Sequence, residues 1–149
     1  MKYLIRFEDD VALDPGVVGH KFASLARATR SRFDVPPAVA IRVEANDFYQ
    51  RHKDWPDGLL SEIRDVAKEI GLSEGVSVRS SSTQEDLEGK SFAGQYETYL
   101  DVRDEDDLKD KIKHLEKELY NAILKEDVFE QIAINVQLDD AKSTLINIQ

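Results

Sequence analysis

The chain has 149 residues, enough for a single domain, residues 1–149, that buries roughly two thirds of its unfolded surface without disulfides or structural metals. A formal net charge of −10 argues against a partner such as nucleic acid, whose backbone is held by clustered Lys and Arg, and no apolar run approaches the roughly 18 residues of a membrane span. The absence of cysteine removes disulfides, thiolate catalysis and zinc–thiolate sites together, and with no apolar signal-peptide core in MKYLIRFEDD the expectation is a cytoplasmic protein.

Lys2 to Phe7 alternates as a strand, and Asp14-Pro15-Gly16 reads as a turn. A helix is predicted from about Val18 to Arg32, with Phe22, Leu25, Ala26 and Phe33 on its apolar face and Lys21 in its first turn. The helix dipole does not favour a cation there, so Lys21 is either incidental or aimed at an anion that the same N–H groups attract. Val35-Pro36-Pro37 leads into a strand at Ala38 to Val43, then a short helix at Ala45 to Arg51, and Trp55 is expected to plug the turn that follows. Leu59, Ile63, Val66 and Ile70 form a helical stripe that stops at Gly71.

The stretch from Val76 to Val102 gathers the most side-chain chemistry. Val76 and Val78 bracket Ser77 in an alternation ending at Arg79, which a strand would deliver to a sheet edge. Ser80, Ser81, Ser82 and Thr83 then offer hydroxyls and amides, and Gly89 and Gly94 allow close backbone approach. Two readings stand here: side-chain turns that satisfy their own backbone, or an anion site needing cations from elsewhere, because Glu85, Asp86 and Glu88 outnumber Lys90. From Gln95 to Val102 a half-buried strand is predicted, with Tyr96, Thr98, Leu100 and Val102 on one face.

Beyond it, Leu108, Ile112, Leu115, Leu119 and Ile123 mark an amphipathic helix between Asp104 and Lys125, in a region where residues 101–130 carry eleven acids against six bases. Gln131 to Leu138 alternates as a strand with Ile132, Ile134, Val136 and Leu138 inward and Ala133, Asn135 and Gln137 outward, and Thr144 to Ile148 returns as another. The order of elements indicates an α/β or α+β domain, a mixed sheet with flanking helices. His20, His52 and His114 have no metal-ligand spacing.

Four blocks, VGHKFASL from Val18, FDVPP from Phe33, VRSSSTQEDL from Val78 and SFAGQYETYL from Ser91, resemble in order the N-terminal ATP-binding domain of the phosphoenolpyruvate synthase and pyruvate phosphate dikinase family, over about residues 17–138. The resemblance implies the N-terminal portion of an ATP-grasp-like fold and, as ligands, ATP and Mg²⁺. By the same resemblance Lys21 and Arg79 would hold the ATP phosphates, with Ser80, Ser81, Thr83, Gly94 and Gln95 in a loop, residues 80–95, folded over them. His20 and Phe22 stand where the family usually has glycines. The family's metal ligands, much of its adenine pocket and its phosphohistidine and pyruvate domains come later, so the expectation is an ATP-dependent phosphotransferase portion completed by another domain or subunit. The alternative is a non-catalytic nucleotide- or protein-binding module, with the acidic helix as its partner surface.

Overall fold

The computed structural model describes residues 2–82, 98–126 and 132–139. Their elements are β1 (Leu4–Arg6), α1 (Pro15–Arg30), β2 (Ala38–Ile41), α2 (Val43–His52), α3 (Leu59–Ile70), β3 (Val76–Ser82), β4 (Thr98–Val102), α4 (Glu105–Glu126) and β5 (Ile132–Leu138). The five strands form one sheet in the order β1-β2-β5-β3-β4. The α/β class with flanking helices stands. In place of the expected mixed sheet, every pairing among the described strands is antiparallel: β2 and β3 run parallel to each other but never touch, because β5 threads between them.

Strand pleating sends alternate side chains to opposite faces. Leu4, Val39, Ile41, Val76, Val78, Ile134 and Val136 point to one face and pack against Leu59, Ile63 and Ile70 of α3 and Leu108, Ile112 and Leu115 of α4. Ile5, Ala38 and Ala40 point to the other face, which α1 covers with Val18, Phe22, Ala23 and Ala26. Each large apolar side chain moved from water to such a core contributes about 1.5–3 kcal/mol, so the aliphatic face carries most of the stability. Trp55 is the expected plug, buried in the first cluster with its ring 4.9 Å from that of Tyr49. Gly71 ends α3 at φ 119°, its N–H donating to Ala67 O.

Several local expectations give way. Asp14-Pro15-Gly16 opens α1 instead of turning, since Asp14 Oδ1 accepts from the Gly16 N–H at 2.8 Å and Pro15 suits a first helical position. Helix α1 stops at Arg30, and Arg32 at φ 65° turns Phe33 out to 69% exposure, off the predicted apolar face. Strand β3 does not end at Arg79 or lie at an edge, because Ser80, Ser81 and Ser82 continue the ladder opposite Ile134, Ala133 and Ile132. Asn135 and Gln137, expected outward, are buried because β5 is central and covered on both sides. The predicted strand at Thr144–Ile148 lies outside the described residues, as do the side chains of Leu119 and Ile123.

Strand β4 breaks its own alternation. Val76 pairs with Val102 and Val78 with Tyr99, so two steps on β3 meet three on β4, and Asp101 takes up the extra residue at φ 58°. This bulge reverses the parity of the strand. Tyr99 therefore packs against the aliphatic core and Leu100, predicted inward, is 67% exposed. In urea denaturation Tyr99→Ala is expected to lose about 2 kcal/mol while Leu100→Ser stays within about 0.5 kcal/mol of wild type; the reverse ranking would place the bulge elsewhere.

Candidate functional site

Helix α1 is interrupted. Gly19 sits at φ 79° and ψ 160°, which breaks the helical ladder and leaves the next amides without carbonyls of their own helix. One of them, the Lys21 N–H, donates to Ser81 Oγ at 3.2 Å. A hydroxyl from β3 thus caps the restarted helix. The approach is so close that a Cβ on Gly19 would stand 2.6 Å from Ser81 Cβ and 2.8 Å from Ser81 O, so glycine is required by space as well as by φ.

Ser77, Arg79 and Ser81 of β3 share the α1-covered face with Asn135 and Gln137 of β5, so the sheet is aliphatic on one side and polar here on the other. The polar groups form a chain. Arg79 Nη2 donates to Ser77 Oγ at 3.0 Å, Ser77 Oγ donates to Gln137 O at 3.3 Å, and Gln137 Nε2 donates to Pro36 O at 3.3 Å. Among the described residues neither Lys21 nor Arg79 pairs with a carboxylate, although the chain carries a net charge of −10. An arginine fork with no carboxylate partner among the described residues, on the strand that receives a helix-start amide, suits an oxyanion such as phosphate.

Of the residues singled out in the sequence, the fold sets the Lys21 main chain on β3 at Ser81, on the strand face that also carries Arg79 two residues earlier. Ser80 is not with them: it is buried on the opposite face, opposite Ile134, because the strand runs on through Ser82 and the pleat alternates. Thr83, Gly94 and Gln95 lie outside the described residues. Ser77, Asn135 and Gln137 were not singled out as site residues, although polar residues at every second position of two alternating strands were the signal.

A second polar cluster lies between α2 and α4. Glu116 is 2% exposed, and burial pushes its carboxyl up to about 8, helped by nearby Asp47 and opposed by the hydrogen bond from Gln50 Nε2 to Glu116 Oε2 at 3.1 Å. The Asn46 amide lies against both carboxyl oxygens: a protonated Glu116 can donate to its carbonyl, and an ionised one is served by the amide turned over, donating to Oε1 at 2.7 Å. Gln50 also lines a cavity of about 570 Å³ with Tyr49, Lys113, His114 and Lys117. Neither Lys21 nor Arg79 lines this cavity. Among the described residues no helix is long and apolar enough to cross a membrane.

The sequence profile of the pyruvate phosphate dikinase AMP/ATP-binding domain matches residues 49–124, a stretch that includes Arg79 and Ser81 and leaves out Lys21. The phosphoenolpyruvate synthase of Pyrococcus furiosus is 46% identical over 74 residues, 46% of this chain and 9% of that protein. That of Deinococcus radiodurans is 44% identical over 88 residues, 59% of this chain and 11% of its own length. An uncharacterized phosphotransferase of Bacillus subtilis, YvkC, is 34% identical over 114 residues, 65% and 14% of the two chains. The chain thus matches between 9% and 14% of the length of these relatives.

Two substitutions test the geometry. Gly19→Ala combines positive-φ strain with overpacking against Ser81 and is expected to lose about 3 kcal/mol in urea denaturation, whereas an ordinary exposed helical Gly→Ala would gain. For Glu116 the folded-state pKa is raised, so the folded state binds the proton more tightly than the unfolded one. Its contribution is therefore fully present below the ordinary value and declines as pH rises toward about 8. Glu116→Gln, which cannot ionise, is expected to melt near the wild-type temperature at about pH 5 and about 5 °C or more above it at about pH 8.5. Parallel curves would mean that Glu116 is ionised in the fold throughout.

Proposed function

The chain belongs to the pyruvate phosphate dikinase AMP/ATP-binding domain family, and from that premise we propose that it is the ATP-binding portion of a phosphoenolpyruvate-synthase-like phosphotransferase with an ATP-grasp-like site. In this reading Lys21 and Arg79 hold the nucleotide phosphates from the α1-covered face of the sheet. Ser81 fixes the main chain at Lys21, and Thr83, Gly94 and Gln95 belong to the segment that closes over the nucleotide. The observation that supports the reading is that two cations, one beside a broken helix start and one on the strand it packs against, have no carboxylate partner among the described residues. Arg79 offers a planar fork and Lys21 a point charge, a complementary pair for a polyphosphate.

Mg²⁺ enters with the nucleotide in this reading and neutralises part of the triphosphate charge. Among the described residues there is no group of three acidic or histidine side chains able to hold a metal, so its protein ligands are assigned elsewhere. The match to about a tenth of the length of the relatives supports a further domain or a complementing subunit supplying the adenine pocket and the phosphoryl acceptor. The lack of cysteine suits a cytoplasmic setting.

Calorimetric titration of Mg-ATP tests this, with the chain alone and with the following segment of a phosphoenolpyruvate synthase added. Loss of one charge-assisted hydrogen bond of about 1.5–3 kcal/mol predicts binding about 10- to 100-fold weaker for Lys21→Ala and for Arg79→Ala. Equal heats from wild type and both variants would reject the site.

A further inference from the structure

Arg79 of β3 and Asn135 of β5 are register partners. Directly opposed residues of an antiparallel pair hold their Cβ atoms about 4.5–5.5 Å apart on one face, so the two side chains are within reach of each other. Arg79 Nε is buried without a hydrogen bond, and so are both Oδ1 and Nδ2 of Asn135, a residue only 1% exposed. A buried polar atom left unsatisfied costs about 1–3 kcal/mol, and three of them meet at one register position in a fold whose total stability is of the order of 5–15 kcal/mol. Along the sheet, Ala40 lies opposite on β2 and Ala133 precedes it on the same face, neither with a polar side chain, and the Gln137 Nε2 donates to Pro36 O. Arg79 Nε can only donate and Asn135 Oδ1 can only accept.

We propose that Asn135 is a positioning residue for Arg79, its Oδ1 accepting from Arg79 Nε–H so that both terminal nitrogens of the guanidinium are presented to one anion. The proposal rests on the reading of Arg79 as a phosphate ligand. Nη2 uses one of its two N–H groups on Ser77 Oγ, and a second tether at Nε fixes the guanidinium plane so that the other Nη2 N–H and one from Nη1 face a single anion in a bidentate contact. Buried as it is, Asn135 touches no ligand itself and acts through Arg79.

Asn135→Leu keeps the approximate shape and removes both polar atoms, and Asn135→Asp keeps an acceptor in place. The first readout needs no ligand: the Arg79 Nε–H resonance is expected to exchange slowly with water in wild type and Asn135→Asp, and faster in Asn135→Leu. The second is affinity for tripolyphosphate, expected to fall about fivefold in Asn135→Leu, as loss of one oriented contact worth about 1 kcal/mol predicts, while its melting temperature holds, because the lost contact to Arg79 is offset by removal of the buried, partnerless Nδ2. Affinity and melting temperature falling together would make Asn135 merely structural, and unchanged Nε–H exchange in Asn135→Leu would overturn the proposal. If wild type fails to bind tripolyphosphate, the nucleotide reading falls and the exchange experiment alone decides the positioning role. Should Asn135→Leu not fold, Asn135→Ala supplies the same two readouts.

Discussion

The hydrogen bond from the Lys21 amide to Ser81 Oγ is the contact on which the polar side of this molecule depends. It exists because Gly19 breaks α1 and lets the helix settle onto β3 closer than any side chain would allow. A helix ordinarily leaves its first amides to water or to a residue of its own chain segment. Here a serine sixty residues away takes one of them, and Lys21 is thereby brought to the strand that carries Arg79. Without the break, the helix would ride higher and the two cations would lose their common frame.

The sheet divides its labour by pleat. One face is filled by Val, Ile and Leu from all five strands against α3 and α4, and this burial sustains the fold. The α1 side begins in the same way with Phe22, Ala23 and Ala26, then changes character along β3 and β5, where serines, an arginine, an asparagine and a glutamine replace the aliphatics. A buried polar row with orphaned atoms weakens a domain, and its retention is understandable where it orients charge for a ligand. The pattern of conflict between local rule and global fold falls on the face that carries Arg79 and receives the Lys21 amide.

Much of this was legible in the sequence, and the parts that were not share physical causes. Helix α3 and the buried stripe at Leu108, Ile112 and Leu115 followed from three- and four-residue spacing, and the strands of the central sheet from alternation. Alternation assumes unbroken pairing, so the bulge at Asp101 exchanged the fates of Tyr99 and Leu100, and the extra length of β3 separated Ser80 from Ser81. Periodicity also says nothing about how many sides of a strand are covered, which is why Asn135 and Gln137 were assigned to solvent. Glu116 was hidden for the same reason: beside Leu115 on a charged helix it reads as part of the wet face, and only the arrival of α2 with Asn46 and Gln50 encloses it. Lys21 and Arg79 drew notice from a helix first turn and a strand end, but their role as a phosphate-holding pair came through the resemblance of their blocks to a family.

The position of Trp55 has a practical corollary. It is the chain's single tryptophan, packed on Tyr49 within the aliphatic cluster, and so lies across the sheet from Lys21 and Arg79. Its emission accordingly monitors the seating of α2 and α3. A ligand held as proposed by Lys21 and Arg79 would lie across the sheet from the indole, so the optical signature of unfolding would stay separate from that of occupancy.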